Sequence, residues 1–537
     1  MKLSKSFIGL IIVSLIFYLY ATKSFSIFQS NSALEIIDFS IESSPNKIDI
    51  PSNPFRNPYY GDLHVHTKYS FDAYIFGVTA TPYDAYKFAT GRAIKHPLGF
   101  DMKLREPLDF YAVTDHGFYM GMIENYADTS SKMSKNEWTI PMHNLNRPEN
   151  VTVESTGERA DLFSSVVRQA IVIPHPWWHP NYIGAWLTNN IQLALKSFDY
   201  DVHKSAWADV ANAAEEFNDP GKFTTFIGYE FTTSTDVEGG NLHRNVIFNS
   251  SNAPIRPWTR IDSINPEDLW TWMDNLRDKG VDSLAMPHNS NGSNGQMFEV
   301  ETFRGNPINE EYAEKRMRNE PVVEMTQVKG TSDTHPLLSP DDEWADFEIM
   351  DKRVGSRPPT YSMPQGGYVR DAYLRGLTLD WEGRGNPYKF GLIGSSDTHT
   401  GAGAYDENNY WSKVGVLDGT DMGRGSVPLS QDRIDQLTQY SIDFNQPVST
   451  KQIEGKTYAD VGFDQWSASG LAVAWAEENT RDSIFQAFKR KETFATTGTR
   501  MAVRFFAGFD MESIDLNSED MVEDSFAKGF TMGADLF

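Results

Sequence analysis

Histidines and carboxylates recur in short polar groups along this sequence, and the first group is the pair His64 and His66 within GDLHVHTKYSFD. In a strand, residues i and i+2 point to the same face. Both imidazoles would therefore converge on one point, as a metal ion requires. An H-x-H pair also occurs where no metal binds, so this spacing alone does not establish a site.

Five further groups of the same residue types follow along the chain. They are Thr114-Asp115-His116, Glu230 within GYEF, His243, His288 and Asp397-Thr398-His399. Each group alone has an ordinary structural explanation, such as a hydrogen-bonded strand-end histidine or an aspartate that caps a turn. Six such groups in series favour a common cluster, and buried imidazoles and carboxylates in a cluster need partners. The sequence therefore predicts a site for divalent metal ions.

Seven short, mostly apolar runs recur along the chain, and six of them contain or adjoin these groups. They are Gly61 to His66, Asp109 to His116, Thr224 to Thr232, His243 to Phe248, Ser283 to His288, Val322 to Val328 and Lys389 to Ser396. Such runs are typical of buried parallel strands. Helices are predicted between several of them, at Tyr83 to Arg92, Val202 to Phe217 and Pro266 to Lys279. This alternation predicts a parallel α/β fold with its chemistry at the carboxyl ends of the strands.

Two long stretches, at about residues 118–200 and 402–475, do not fit this alternation. We interpret them as insertions into the main domain. Long loops in compact domains are often lids or binding elements, and surface decoration is the alternative.

The composition limits the classes of site and partner. The chain has 537 residues, 73 Asp and Glu against 48 Lys and Arg, and a formal net charge of -25. This charge disfavours long nucleic acids as partners. The sequence contains no cysteine, which excludes disulfides, thiolate metal sites and a cysteine nucleophile. Nitrogen and oxygen ligands suit zinc, manganese or iron.

The N-terminal residues predict export. Lys2 and Lys5 precede an apolar run from Phe7 to Tyr20. This pattern is typical of a signal peptide, and an uncleaved membrane anchor is the alternative for residues 1–23. Residues 24–55 read as a linker, and residues 56–537 as the main domain. In both cases that domain is expected outside the cytoplasm, either periplasmic, secreted or anchored to the inner membrane facing outward.

The order of motifs resembles a known superfamily. The series H-x-H-T-x-x-S-x-D, T-D-H, G-x-E, two separated histidines and D-x-H, between Gly61 and Gly401, resembles the PHP (polymerase and histidinol phosphatase) superfamily. The segments VEMTQVKGTSDTHP and FATTGTR resemble the branch filed as domain of unknown function 3604. The resemblance implies a distorted (β/α)7 barrel with long loop insertions and a site for two or three divalent metal ions.

Carried over residue by residue, the resemblance implies a set of ligands for each metal ion. The sets are His64, His66, Glu230 and Asp397; Glu230 again with His243 and His288; and Asp72, His116 and His399. Asp72 departs from members that have histidine at this position. A carboxylate there is a competent ligand and favours manganese or iron over zinc.

The implied activity is that of a metal-dependent hydrolase, most readily a phosphoesterase acting on a small phosphorylated anion. A hydroxide bridging two metal ions would be the nucleophile. Asp115 would orient a ligand or transfer a proton, and Arg500 would grip phosphate unless it forms a structural ion pair. Two alternatives remain open: hydrolysis of carboxylic esters, amides or carbamates at the same site, and metal binding without catalysis. The oligomeric state stays undetermined.

Overall fold

The computed structural model describes residues 33–41, 50–170, 198–234, 239–347, 349–354, 360–444, 448–460, 465–466 and 469–535. The predicted signal peptide or anchor at residues 1–23 lies outside these residues. Within the described part of the chain, no helix is both long and apolar enough to cross a membrane. Part of the predicted linker packs on the main domain, because Ile36–Asp38 forms a strand and Trp272 donates a hydrogen bond to the Ala33 carbonyl.

The strands are short. They are β1 (Ile36–Asp38), β2 (Asn57–Asp62), β3 (Ile94–Lys95), β4 (Asp101–Met102), β5 (Phe110–Tyr111), β6 (Thr224–Thr225), β7 (Gly228–Phe231), β8 (Arg244–Phe248), β9 (Asn252–Pro254), β10 (Ser283–Pro287), β11 (Val322–Gln327), β12 (Gly330–Thr331), β13 (Gly391–Gly394), β14 (Thr450–Ile453), β15 (Lys456–Ala459), β16 (Leu471–Ala476), β17 (Thr493–Thr496), β18 (Phe506–Ala507) and β19 (Phe530–Thr531). Each of the seven predicted runs contains or overlaps one of these strands.

Helices separate many of the strands. They are α1 (Phe71–Ile75), α2 (Pro82–Ala89), α3 (Met122–Ala127), α4 (Thr156–Ala170), α5 (Tyr200–Phe217), α6 (Pro266–Arg277), α7 (Glu310–Asn319), α8 (Val369–Trp381), α9 (Asp421–Arg424), α10 (Gln431–Phe444), α11 (Arg481–Arg490) and α12 (Met521–Lys528). The three predicted helices are confirmed as α2, α5 and α6. The fold is therefore a mixed α/β fold, as predicted.

Helices α5 and α6 begin where local chemistry favours a start. The Asp199 carboxylate accepts hydrogen bonds from the first backbone N–H groups of α5. The Asn265 side chain caps α6, whose first residue is Pro266. Such caps satisfy backbone donors that the helix itself leaves unpaired. Both helices bury their apolar faces, including Trp207 and Trp270, in the largest hydrophobic core. Each large side chain buried in this way stabilises the fold by roughly 1.5–3 kcal/mol.

Three sheets surround the strand ends that contain the predicted ligands. The largest has the order β17-β16-β2-β5-β6, in which β2, β5 and β6 are parallel and β16 and β17 are antiparallel to their neighbours. A second has the order β10-β8-β7, and a third has the order β12-β11-β13, with β11 and β13 parallel. The remaining pairs are β1 with β9, β3 with β4, β14 with β15 and β18 with β19.

The prediction of parallel strands is wrong for β8. This strand runs antiparallel to both β7 and β10. The apolar pattern of a buried strand is the same for either direction, so the sequence pattern does not reveal the reversal. The reversal matters for the site, because it brings the amino end of β8 to the edge where β7 and β10 end.

Both predicted insertions contain regular structure. The first, at residues 118–200, includes α3 and α4, and the second, at residues 402–475, includes α9, α10 and the β14–β15 hairpin. The two contact each other, since Tyr440 of α10 donates a hydrogen bond to the Gly157 carbonyl of α4.

Candidate metal centre

The structure brings all nine predicted ligands together at one edge of these sheets. They are His64 and His66 after β2, Asp72 in the first turn of α1, His116 after β5, Glu230 in β7, His243 before β8, His288 after β10, and Asp397 and His399 after β13. Isolated parallel bridges join the sheets here, between His116 and Glu230 and between Val65 and Thr398. We call these nine residues the histidine cluster.

Glu230 lies at the centre of the histidine cluster. Its Oε2 atom is 2.9 Å from Nδ1 of His116 and 3.4 Å from Nε2 of His66. Its Oε1 atom contacts Nδ1 of His243 and is 3.4 Å from Nε2 of His288. One carboxylate therefore faces imidazoles on both of its oxygens, which is the geometry required of a group that bridges two cations.

Asp397 forms a second focus. Its Oδ1 atom is 3.3 Å from Nε2 of His64 and 3.4 Å from Nε2 of His66. Asp397 has a φ of 53°, in the left-handed region, which non-glycine residues other than Asn, Asp and His seldom adopt. This backbone conformation accompanies a carboxylate turned towards two histidines.

Asp72 forms a third focus at the more open side of the histidine cluster. Its Oδ2 atom is 3.2 Å from Nε2 of His116 and 2.8 Å from Nε2 of His399. Its side chain is 14% exposed, against 1% for Glu230 and Asp397. The His243 side chain is 20% exposed, so solvent reaches the histidine cluster at both Asp72 and His243.

A second layer of side chains fixes the orientation of the first histidine pair. Oε2 of Glu324 lies 2.9 Å from Nδ1 of His64. The Ser70 hydroxyl lies 2.8 Å from Nδ1 of His66 and donates a 2.6 Å hydrogen bond to Asp115. In both histidines Nδ1 is thus engaged outside the histidine cluster, and Nε2 faces its interior. Such outer contacts fix the tautomer of a ligating histidine and raise its basicity.

The inward atoms fit a metal ion. Among the described residues, Nε2 of His64 and Nε2 of His66 are buried without a hydrogen-bond partner. A buried polar atom left unpaired costs roughly 1–3 kcal/mol. A divalent cation would satisfy both nitrogens together with the neighbouring carboxylates. Four sets of three residues have ligand atoms within 4.8 Å of one another: His66, His116 and His399; His64, His66 and Asp397; His64, His288 and Glu324; and His116, Glu230 and His243.

The electrostatics of the histidine cluster favour bound positive charge. Burial alone would lower the pKa of His64, but Asp397 and Glu324 outweigh it and raise that pKa to about 10. In the same way, burial would lower the pKa of His116, but Glu230 and Asp72 raise it to about 10. The neighbouring carboxylates thus stabilise positive charge at these two imidazoles, which is the condition that also favours a bound cation.

The other histidines of the histidine cluster are biased towards the neutral form, which is the form that ligates metal. Burial is the main cause in each case. It lowers the pKa of His243 to about 4 and lowers the pKa values of His288 and His399. The pKa of His66 falls well below its usual value, because burial acts together with the charges of His399 and His116.

Two lysines that the sequence analysis missed also reach the histidine cluster. Nζ of Lys329 contacts Oδ2 of Asp397, and Nζ of Lys413 is 3.4 Å from Oδ1 of the same residue. Lys329 follows β11 within the segment VEMTQVKGTSDTHP, so its place after a strand was a usable indication. Lys413 lies in the second insertion, where no periodic pattern marks it.

The two predicted catalytic residues have different positions. Asp115 accepts its hydrogen bond from Ser70 and thereby acts on His66 through one intervening side chain, which supports an orienting role. The structure does not bring Arg500 to the histidine cluster. Its guanidinium is at the surface, where it donates to the Glu106 and Pro107 carbonyls. The alternative of a structural role for Arg500 therefore describes its contacts better than phosphate binding.

Comparison with known proteins gives one match. A family model with the description Protein of unknown function (DUF3604) matches residues 53–537. The resemblance to the domain of unknown function 3604 branch is thereby confirmed. The matched region includes the whole histidine cluster and both lysines. No curated protein and no solved structure matches the chain.

Proposed function

The chain belongs to the DUF3604 family, and we propose that it is a metal-dependent hydrolase, specifically a phosphoesterase acting on a small phosphorylated compound. The supporting observation is the convergence of nine histidine and carboxylate side chains, far apart in sequence, around the buried Glu230 carboxylate. Structural ion pairs do not require inward imidazole nitrogens without hydrogen-bond partners, whereas a metal centre does.

We propose that the histidine cluster holds two or three divalent ions of zinc, manganese or iron. Glu230 has imidazoles on both oxygens and would be shared between two ions. Bound ions of this type supply a nucleophile from water near neutral pH and offset the charge of the transition state. The residues of the chain hold these ligands in place, with Glu324 and Ser70 fixing His64 and His66. Burial of the histidine cluster limits the number of water molecules that can compete with these side chains for the metal ions.

We further propose that the sheets form a distorted seven-stranded barrel of the PHP type. The bridge between His116 and Glu230 links β5 to β7, and the bridge between Val65 and Thr398 links the end of β2 to the end of β13. Strands β7, β8 and β10 form one sheet, β10 lies beside β11, and β11 pairs with β13. This order returns to β2, as a closed arrangement requires.

Positive charge at the site is the reason for proposing a phosphate ester as the substrate. Lys329 and Lys413 add positive charge at Asp397, and divalent ions would add more. A site of this charge attracts small anions although the whole chain has a net charge of -25. The apolar run between Lys5 and Lys23 leads us to propose that this activity is located outside the cytoplasm.

A substrate screen tests the proposal. Protein reconstituted separately with zinc, manganese or iron is assayed against phosphomonoesters, phosphodiesters and carboxylic esters. We expect hydrolysis of phosphate esters, and a loss of more than about 100-fold in His64→Ala and Asp397→Ala. His143→Gln is the control, since the His143 ring contacts the Ser134 carbonyl outside the histidine cluster.

Three results would contradict the proposal. Full turnover in His64→Ala and Asp397→Ala would show that the site is elsewhere. Turnover of carboxylic esters alone would show that the site is not a phosphoesterase. Metal binding with no turnover of any ester would indicate a metal-binding protein without catalysis.

A further inference from the structure

Two lysine ammonium groups share one carboxylate at the histidine cluster. Nζ of Lys329 contacts Oδ2 of Asp397, and Nζ of Lys413 is 3.4 Å from Oδ1. Lys413 is also 3.0 Å from Nδ1 of His399. A structural ion pair needs one cation for one carboxylate, and Asp397 already faces His64. The second ammonium is therefore in excess of what Asp397 requires.

Backbone contacts hold both lysines in place. The Lys329 N–H donates a 2.9 Å hydrogen bond to the Gln327 side-chain carbonyl. The Lys413 N–H donates a 2.7 Å hydrogen bond to the Asp418 carboxylate, and the Lys413 carbonyl accepts one of 2.7 Å from the His399 N–H. Both side chains are also largely buried, so a ligand would remove less of their rotamer freedom than it would from a surface lysine.

The two lysines differ in their access to solvent. The Lys413 side chain is 3% exposed, whereas that of Lys329 is 13% exposed. Lys329 is thus the more accessible of the two ammonium groups, and Lys413 is the more deeply buried one, on the other oxygen of Asp397.

Metal ions would make two free ammonium groups here unfavourable. Each ammonium group lies beside an oxygen of the same carboxylate, so the two like charges would repel each other once that carboxylate is neutralised. Cations bound at Asp397 would take up the negative charge that now faces Lys329 and Lys413. An anion with more than one negative charge, placed between the lysines and the metal ions, would remove this repulsion.

We propose that Lys329 and Lys413 bind a doubly charged oxyanion, namely the terminal phosphate of a phosphomonoester. This inference rests on the proposed function and adds the substrate class. A monoester phosphate has a charge near -2 at neutral pH and three strong acceptor oxygens. A diester has a single negative charge and two free oxygens, so it would gain less from two ammonium groups. The pair would therefore select monoesters over diesters.

The test uses inorganic phosphate as the binding probe and two esters as substrates. Lys329→Met and Lys413→Met remove the charges but keep similar side-chain volumes. Lys489→Met is the matched control, because Lys489 is a partly buried lysine paired with Asp282 away from the histidine cluster. Phosphate affinity is measured by calorimetry, kcat/KM is measured for a monoester and a diester, and elemental analysis gives the metal content.

We expect Lys329→Met and Lys413→Met each to lose about 10-fold or more in phosphate affinity and in kcat/KM for the monoester. The loss for the diester is expected to be smaller, and the metal content and the Lys489→Met control are expected to be unchanged. Unchanged phosphate affinity, or equal losses for both esters, would overturn the inference. If phosphate binding depends on the lysines but no ester is hydrolysed, the phosphoesterase proposal fails and the oxyanion site stands. If phosphate esters are hydrolysed equally well by all variants, the oxyanion site fails and the phosphoesterase proposal stands.

Discussion

Two buried groups of charged side chains in this protein differ in how their polar atoms are satisfied. In the first, Glu320 accepts hydrogen bonds from Arg244 at 2.8 Å, Trp270 at 2.8 Å and Arg316 at 3.1 Å. Arg316 also donates to the Met297 carbonyl. We call Arg244, Arg316 and Glu320 the arginine–glutamate group. Its charges are satisfied by the chain itself.

The innermost residues of the histidine cluster, His64, His66, Glu230 and Asp397, are equally buried but are not satisfied in the same way. The Nε2 atoms of His64 and His66 have no hydrogen-bond partner among the described residues. Burial costs both groups the hydration of their charges. In the arginine–glutamate group, hydrogen bonds within the fold offset this cost. In the histidine cluster, an additional partner for the imidazole nitrogens is required. The comparison indicates that the first is structural and that the second binds ligands.

The largest expected effect is a loss of stability in the arginine–glutamate group that leaves metal binding by the histidine cluster unchanged. Glu320→Gln leaves two buried guanidinium groups without their carboxylate, and such a loss typically costs ~3–5 kcal/mol. Urea unfolding of the variant should show this decrease while metal content per folded chain stays at the wild-type level. A decrease below about 1 kcal/mol would show that the arginine–glutamate group does not stabilise the fold as we describe.

A smaller effect is expected at the second layer of the histidine cluster. Glu324→Gln keeps a hydrogen-bond acceptor beside His64 but removes the charge that orients and polarises its ring. Substitutions at such positions typically cost ~10–100-fold in metal affinity or activity. Metal titration and kcat measurements check this. If the variant equals wild type in both, His64 is oriented by other contacts.

The stabilisation by the arginine–glutamate group is expected to decrease at acidic pH. Burial would raise the pKa of Glu320, but Arg244 and Arg316 outweigh it and lower the pKa below its usual 4.5. A lowered pKa means that the charged carboxylate stabilises the fold fully above pH 4.5 and loses this effect as the pH falls further. The difference in unfolding free energy between wild type and Glu320→Gln should therefore shrink below pH 4.5. A difference that stays constant to pH 3 would contradict this assignment.

The smallest effect is expected for Arg500. Its guanidinium donates to the Glu106 and Pro107 carbonyls and lies 3.8 Å from the exposed Glu106 carboxylate, so Arg500→Met should change the unfolding free energy by about 0.5 kcal/mol or less. Activity towards a phosphate ester should stay within about twofold of wild type. A loss of 10-fold or more would show that Arg500 binds substrate after all.

The sequence predicted the nine residues of the histidine cluster, but it did not predict the neighbouring lysines or the direction of every strand. Residues of metal-ligand type at strand ends are visible from local pattern, and His64 with His66 is the plainest case. Lys329 and Lys413 were missed because lysine is not part of a metal-ligand pattern. The direction of β8 was also missed, since direction depends on which strands pair across the fold. His243 nevertheless belongs to the histidine cluster because that reversal brings it there.

The central claim is that the histidine cluster binds divalent metal ions, and elemental analysis after metal loading and dialysis tests it most directly. Glu230→Gln and Glu320→Gln are a matched pair, because each replaces one buried carboxylate by an amide. We predict roughly two or three ions per chain in wild type and in Glu320→Gln, and a loss of at least one ion in Glu230→Gln. Equal metal content in Glu230→Gln and wild type, or no bound metal in wild type with zinc, manganese or iron, would contradict the claim.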